Sequence, residues 1–555
     1  MIIVLDRRAG APVAAVDGAH PEPVDDLAAF VAERERDHSP RWVWGDTSAW
    51  YPELLAAGVR VERCFDLRLC HAILRASALT AGSSLATAPP GEWDTRAAMA
   101  SPTRGNDGAL FDLLPAVVGD AAGHPDSIAE YELQRAAVAG AAEPGRIDRL
   151  LAAESAGALI AVEMRFAGLP WSAERHDAIL TGALGPRPSI DGTRPEYLQR
   201  VLDVVRDRLD SPELNPDSPV DLIKALGVAG MQVTSTRSWE LKKIAHPAIE
   251  PLLEYKKLAR LLAANGWSWL DEWVVDGRFR PDYVPGGTAT GRWASSGGGA
   301  LQLPRQIRGA VVADDGWTFV VADASQLEPR ILAAMSGDRG MIAAGAAGDL
   351  YAGIVASGAV ETRDQAKVAM LGAMYGATTG ESGRLMPKLA RAYPAAIQMV
   401  EDAARAGERG EIVTTRLGRS SPPPPPAWRS SQADGYGENA TATDASRARG
   451  QARSWGRFTR NFIVQGTAAE WALCWMASVR RRLHGRAAGR WLTDSAHLVF
   501  FLHDEIVVHC PVDEAEGVAL EVREAAAEAG RLVFGALPGA FPLTVAIVDN
   551  YEQAK

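Results

Sequence analysis

Two hydrophobic rhythms alternate along the chain. Short, continuous apolar runs open it: MIIVL at residues 1–5 and RWVWG at 41–45 predict buried strands. VERCFDLRLCHAILRA, at 61–76, reads as a turn into a helix. From Ile147 apolar residues recur at spacings of three and four in RIDRLLAAESAGALIAVEMRFAGL, predicting a helix that stops at Gly168. SPVDLIKALGV and HPAIEPLLEYKKLARLLAANGWSWLDEWV repeat the pattern, with Ser218-Pro219 and His246-Pro247 as helix starts. Their Lys256, Lys257 and Arg260 read as a solvated face. The strand rhythm returns at Phe319–Val321, which ends on Asp323 and leads at once into an amphipathic helix. It returns again in HLVFFLHDEIVVHCP, two apolar runs around His503-Asp504-Glu505, which predict a hairpin with the polar triplet at its bend.

Three stretches lack either rhythm. Residues 80–125 are rich in Gly, Ala, Pro and Ser and read as a long loop. DYVPGGTATGRWASSGGGALQLP, from Asp282, is too small-residue-rich for a core. It reads either as a linker or, through Arg292 and its backbone amides, as a phosphate- or sugar-contacting loop. Residues 418–450 form a low-complexity insertion, with five prolines expected in polyproline II and a mobile Ser/Gly/Asn-rich remainder.

Composition narrows the classes. A chain of 555 residues, 47% hydrophobic and 23% charged, is an ordinary globular protein of several domains. A net charge of -11 argues against coating nucleic acid by bulk electrostatics but leaves room for a local basic channel. Cys64, Cys70, Cys474 and Cys510 have no metal-ligand spacing and read as reduced, buried thiols of a cytosolic protein. The N-terminal apolar run is too short for a signal peptide, and no segment reaches the length of a membrane span.

The candidate chemistry lies in the second half. Asp323 at a strand end is a turn former, a cap or a ligand, and Ser325-x-x-Glu328 matches a capping box. Asp504 would supply a second strand-end carboxylate. Arg363, Lys367, Leu371 and Tyr375 lie four apart, so each is turned about 40° from the last around a helix. Two cations, an apolar side chain and an aromatic thus share a winding stripe suited to a triphosphate with a base near Tyr375. Arg447, Arg449, Arg453, Arg457 and Arg460 begin a basic helix, on which Arg457, Asn461 and Gln465 share a face able to reach sugar and minor-groove edges. Two carboxylates can hold two Mg²⁺ ions for in-line nucleotidyl transfer.

DASQLEPRILAAMSGD, RDQAKVAMLGAMYG and FLHDEIVVHCP, in this order, resemble motifs A, B and C of family A DNA polymerases. TATGRWASS…LQLP and NFIVQGTAAE resemble that family's template-primer contacts, and the resemblance runs from Ile147 to the C-terminus. It implies a multidomain α/β and α+β fold: a right-hand polymerase of palm, fingers and thumb behind an N-terminal RNase H-like exonuclease-type domain. Residues 147–275 would be the thumb, and 276–340 and 481–555 the palm. Residues 341–480 would be the fingers and template-contact helix, with 418–450 inserted. The resemblance implies Asp323 and Asp504 as ligands of two Mg²⁺ ions, with Mn²⁺ as substitute. It places Arg363 and Lys367 on the triphosphate, Lys367 also serving the departing pyrophosphate. Gln326, Glu328, Leu371 and Tyr375 would line the nucleotide pocket, Glu328 excluding ribonucleotides. Arg292, Arg457, Asn461, Gln465, His503 and Glu505 would meet primer-template DNA. The implied protein is a monomeric, cytoplasmic, nucleoid-associated polymerase of repair or gap filling. Its partners would be primer-template DNA and deoxynucleoside triphosphates, with no membrane.

Departures from the family pattern are as specific. Ala324 stands where an aromatic follows the motif A Asp, Leu371 where motif B has Phe or Tyr, and Tyr351 where a DxH pattern has His. In 1–140, Asp66 matches the central exonuclease Asp, but Asp6-Arg7-Arg8 replaces a DxE pair, and Arg135 stands where a Tyr-x-x-x-Asp needs its Asp. A two-metal nuclease with Arg for its ligands would be inactive, so this domain is expected to be structural. From the length of the chain, no 5′-nuclease domain is expected ahead of it. A non-catalytic primer-template binder and a single-subunit RNA polymerase relative are the competing readings.

Overall fold

The structure is a computed structural model that describes residues 1–97, 126–190, 192–377, 380–438, 440–535 and 541–554. It divides into two compact units: Met1–Ala167 with Pro281–Leu301 and Gly316–Ile547, and Gly168–Arg280 with Gln302–Asp315 and Val548–Lys555. The divide falls at residue 167, because the helix Pro144–Ala167 is buried along its length in the first unit.

The first unit opens with a five-stranded sheet of β1 (Ile2–Arg8), β2 (Ala11–Val16), β3 (Glu22–Pro23), β4 (Arg41–Trp44) and β5 (Arg63–Asp66) in the order β3-β2-β1-β4-β5. β2 runs antiparallel to β1, whereas β4 and β5 run parallel to it. Ile3, Leu5, Trp42 and Trp44 are fully buried, which is why these strands are apolar runs rather than alternations. The turn expected at Val61–Asp66 is instead β5. Cys64 and Phe65 are buried and pair with Trp42 and Val43, so a parallel neighbour overrides a mixed local pattern. The expected long loop begins with two short helices, Ser84–Thr87 and Glu92–Ala97, and its part over 98–125 lies outside the described residues.

The second unit holds three short strands, β6 (Leu169–Pro170), β7 (Val274–Val275) and β8 (Arg278–Phe279), and a set of helices around Trp171, Trp269 and Phe279. Ser218 caps Pro219–Val228 as expected. His246-Pro247 instead forms a turn just ahead of Ile249–Asn265, with His246 Nδ1 accepting from the Ala248 amide at 3.2 Å.

Back in the first unit, the Gly-rich stretch is no linker. β9 (Asp282–Val284) and β10 (Ala294–Gly297) pair within it, and Tyr283 and Trp293 are buried. The Tyr283 hydroxyl donates to the Phe501 carbonyl at 2.6 Å, fixing this hairpin to a four-stranded sheet. That sheet, in the order β12-β13-β11-β14, joins β11 (Trp317–Ala324), β12 (His497–Leu502), β13 (Glu505–Pro511) and β14 (Leu543–Val548). Helices Ala442–Ala487 and Ala515–Phe534 pack together beside it, with Trp475 Nε1 donating to the Val522 carbonyl at 3.1 Å. The insertion expected to be mobile is largely helical. Pro426–Tyr436 lies against the long helix, where Gly435 allows contact: a Cβ there would sit 2.4 Å from that of Ala448. The long helix starts at a capping box of Thr441 and Asp444. Among the described residues no helix is long and apolar enough to cross a membrane, and all four cysteines are free and buried.

Candidate active site

Antiparallel pairing of β11 with β13 sets Asp323 opposite Glu505, and the Ala324 amide donates to the Asp504 carbonyl at 2.8 Å. His503 takes a left-handed conformation (φ 59°) and the Asp504 amide closes onto the Leu502 carbonyl at 2.8 Å, making the tight bend expected between the runs. Two carboxylates therefore leave adjoining strand ends, both half-buried. Glu505, expected to meet primer-template DNA, lies instead inside the sheet at 1% exposure, its backbone paired with Asp323 on one side and Leu502 on the other. Among the described residues no group of three or more His, Cys, Asp or Glu converges as a metal cage. The donor set fits a hard cation that keeps water and substrate oxygens as its other ligands, and it does not fit a closed structural site.

The helix Leu327–Ser336 follows, but the capping box does not form. Gln326 precedes it in a left-handed conformation, without a side-chain cap. Glu328 is instead engaged at long range: Arg292 Nη2 donates to it, and the Tyr375 hydroxyl donates to its Oε2 at 3.0 Å. Gln465 Nε2 in turn donates to the Tyr375 hydroxyl at 3.2 Å. Four sequence-read residues from four elements thus form one network. Gly291 (φ +83°) makes the turn that presents Arg292, and the Arg419 guanidinium occupies the space a side chain at 291 would need.

The stripe helix, Arg363–Tyr375, is capped by Thr362 and buries Ala366, Ala369, Met370, Ala373 and Met374. Arg363, Lys367, Leu371 and Tyr375 occupy the opposite, exposed face. The two cations are not both uncompensated, as the spacing suggested: Arg363 Nε donates to Asp349 Oδ2 at 2.8 Å. Lys367 has no hydrogen bond or ion pair among the described residues. Gln326 also meets Asp349, donating from Nε2 to Oδ1 at 2.7 Å. Asp349 was missed as a site residue; its only signal was its place two residues before the atypical Tyr351. On the long helix, Arg457 is exposed with its stem against Gly376, and Asn461 and Gln465 are half-buried. Arg460 leaves the expected basic face: it is buried, paired with Glu401, and donates to the Ala373 carbonyl at 3.0 Å.

A partly open cavity of about 80 Å³ is lined by the polar residues Arg292, Glu328, His503 and Asp504 and by Trp293, Leu473 and Phe501 among its apolar ones. His503 is exposed overall, yet protein packed around its imidazole, and then the Arg292 guanidinium, hold it down at about 4. It is neutral at pH 7.

The residues 208–548 match the sequence pattern of DNA polymerase family A, well over half of the chain. The chain belongs to this family. It is 28% identical over 331 residues to DNA polymerase I of Chloroflexus aurantiacus, covering 54% of this chain and 32% of that one. To the thermostable DNA polymerase I of Thermus aquaticus it is 27% identical over 360 residues, 59% of this chain and 39% of the relative. The chain thus spans about a third of the length of these curated relatives. Its fold is that of the POL domain of Pol1 from M. smegmatis, solved in complex with DNA primer-template and dNTP: TM-score 0.68 at 18% identity, covering 100% of this chain and 95% of that chain. The family A fold, mixed α/β and α+β behind a five-stranded N-terminal sheet, is therefore the fold of this chain.

Proposed function

We propose that this family A chain is a DNA-templated DNA polymerase that adds deoxynucleotides to a primer 3′ end without proofreading. One observation carries the reading: pairing of β11 with β13 brings Asp323 and Asp504 to adjoining strand ends beside the Arg292–Glu328–Tyr375–Gln465 network. Asp323 and Asp504 would hold two Mg²⁺ ions, or Mn²⁺, which when bound supply Lewis acidity to both sides of an in-line transfer. Arg363 and Lys367 neutralise the triphosphate, and Lys367 meets the charge building on pyrophosphate as it departs. Glu328, fixed by Arg292 and Tyr375, closes the sugar 2′ side. Leu371 and Tyr375 face the base, and Gln326 holds the wall behind them. Arg292, Arg457, Asn461, Gln465 and the neutral His503 meet primer and template, with Glu505 supporting the bend.

In this reading residues 147–275 act as the thumb, 276–340 and 481–555 as the palm, and 341–480 as the fingers. Residues 1–140 act as a scaffold without 3′–5′ exonuclease activity. The acting species is a monomer at the nucleoid, filling short gaps in repair or replication.

Primer extension by the full chain, with deoxy- and ribonucleotides in parallel, tests this. Extension is expected with deoxynucleotides, falling on the order of 10³-fold or more in Asp323→Ala and in Asp504→Ala while both remain folded. Extension that survives both substitutions overturns the assignment of the carboxylates, and primer-template binding without extension overturns the enzyme.

A further inference from the structure

One pair of residues behind the stripe helix has no place in the mechanism above. Asp349 begins the helix Leu350–Ala356, and its Oδ1 accepts from the Tyr351 amide at 2.9 Å, the Ala352 amide at 3.1 Å and Gln326 Nε2 at 2.7 Å. Gln326 Oε1 closes the loop by accepting from the Leu350 amide at 2.8 Å. One carboxylate oxygen is thus fixed by three donors, and the other, Oδ2, is left to receive Arg363 Nε at 2.8 Å. Tyr351 is buried at 7% exposure, and the Arg363 guanidinium carbon lies 5.5 Å from its ring centroid.

The orientation of this contact decides its meaning. Asp349 takes the Nε side of the guanidinium and the Tyr351 ring takes its face. The two terminal amino groups of Arg363 have no partner among the described residues, and its side chain is 54% exposed. A carboxylate that blocked the arginine would take those terminal groups in a bidentate fork. Here the fork remains available, on a side chain whose flexible stem is held from two directions.

We propose that Asp349 and Tyr351 are positioning residues that bracket Arg363 so that its free amino groups meet the oxygens of a nucleoside triphosphate. The proposal rests on the polymerase reading and deepens it. At position 351 the family's usual His is replaced by an aromatic that turns its face to the arginine. A held cation does the work through Arg363 alone, because rotamer freedom is removed before the ligand arrives. Gln326 extends the bracket to the segment after Asp323, so the triphosphate and carboxylate ends of the site share one framework.

Single-nucleotide insertion by the full chain on a primer-template, read as separate kcat and KM, gives the first test. Asp349→Asn, which keeps the size and helix-capping oxygen, is expected to raise KM for the nucleotide about tenfold with kcat within about twofold. Tyr351→Leu raises KM several-fold, and Tyr351→Phe, which keeps the ring, restores most of that loss. In an Arg363→Ala background, Asp349→Asn adds no more than about twofold, because the two act as a unit. Equal effects of Asp349→Asn with and without Arg363, or an unchanged KM, overturn the bracket. Calorimetric titration of the full chain with inorganic tripolyphosphate separates this from the parent reading. Affinity falls in Asp349→Asn and Tyr351→Leu if the bracket exists, whether or not the chain extends primers. Unaltered affinity in both overturns it.

Discussion

Two sheets in this chain carry carboxylates to neighbouring strand ends, and the surroundings of those carboxylates differ. In the N-terminal sheet Asp66 ends β5 across from Trp44 of β4, Asp46 lies two residues beyond β4, and Asp6 lies in β1. All three have local work. Asp6 accepts from the Ser127 hydroxyl at 3.1 Å. Asp46 caps the helix Thr47–Ala56 and pairs with Arg68 at 2.8 Å. Asp66 accepts from the Thr47 and Leu69 amides at 2.8 and 3.0 Å, and burial, then the Asp46 charge, push it up to about 6. The guanidinium beside these carboxylates is that of Arg68, whereas Arg8, in the DxE position, is exposed. In the other sheet Asp504 lines a cavity together with Arg292 and Glu328, and Arg292 is taken by Glu328. Whether a strand-end carboxylate is sealed among amides and a guanidinium or set on a cavity wall separates the two sheets more sharply than its spacing in the sequence does.

The sharpest way to break this contrast is to remove what makes the N-terminal sheet structural. Glu163, on the helix Pro144–Ala167, accepts from the Tyr51 hydroxyl at 2.6 Å, Arg60 Nε at 2.9 Å and Arg480 Nη2 at 2.7 Å. Arg480, on the long helix, also donates to the Val61 and Glu62 carbonyls at 2.6 Å each. Burial alone would raise Glu163, but Arg480 and Arg60 outweigh it and hold the carboxyl well below the usual range. Glu163→Ala leaves two buried guanidinium groups uncompensated and is expected to cost about 3–5 kcal/mol in urea unfolding, with extension per folded molecule unchanged. A loss below about 1 kcal/mol would mean the N-terminal sheet is not tied to the polymerase body through this cluster.

How far each sheet can be read from its sequence differs for the same reason. β1 and β4 are continuous apolar runs, and the bend at His503-Asp504 follows from two such runs around a polar triplet. The exposed face of Arg363–Tyr375 follows from spacing alone. β5 does not, because Arg63–Asp66 is a strand only by virtue of β4 beside it. The helix Pro426–Tyr436 is hidden under prolines and serines, and its order comes from packing on the long helix. The Ser325–Glu328 box is a sound local reading that lost to Arg292, 36 positions away. Asp349 joins Arg363 and Gln326 across separate elements, which no spacing rule reveals.

A smaller effect tests the join between the two regions. Glu470, on the long helix, is 1% exposed and receives the Leu417 amide at 2.8 Å and contact from the Thr415 hydroxyl. The same loop's Gly418 carbonyl accepts from Ser77 of the N-terminal region at 2.6 Å. Burial pushes Glu470 up to about 7 against the pull of Thr415, Leu417 and Arg419. A folded-state value above the unfolded one means that the native protein holds this proton longer. Glu470 therefore adds stability below about pH 4.5, and loses it as pH rises through about 7. Thermal and urea unfolding from pH 4.5 to 8 is expected to show wild type losing about 2–3 kcal/mol relative to Glu470→Gln, whose amide does not titrate. Parallel curves for the two proteins would place this carboxylate in its ordinary range and remove the pH-sensitive join.

The smallest expected effect concerns the proposed nucleotide site alone, at Ala324 and Leu371, the two positions where the sequence departs from the aromatics of the motifs it resembles. They are not equivalent. Ala324 is 2% exposed at the end of β11, and a ring there would have to displace packed neighbours, at about 1–3 kcal/mol of overpacking. Leu371 is 37% exposed on the stripe face between Lys367 and Tyr375. Leu371→Phe therefore adds a stacking surface without disturbing a core. Stacking of a base on an aromatic side chain contributes about 1–3 kcal/mol, so the nucleotide KM is expected to fall roughly tenfold with stability unchanged. Ala324→Phe is expected to do the reverse, lowering stability without tightening nucleotide binding. If Leu371→Phe left KM unmoved while Ala324→Phe lowered it, the exposed stripe would not be the face on which the incoming base lies.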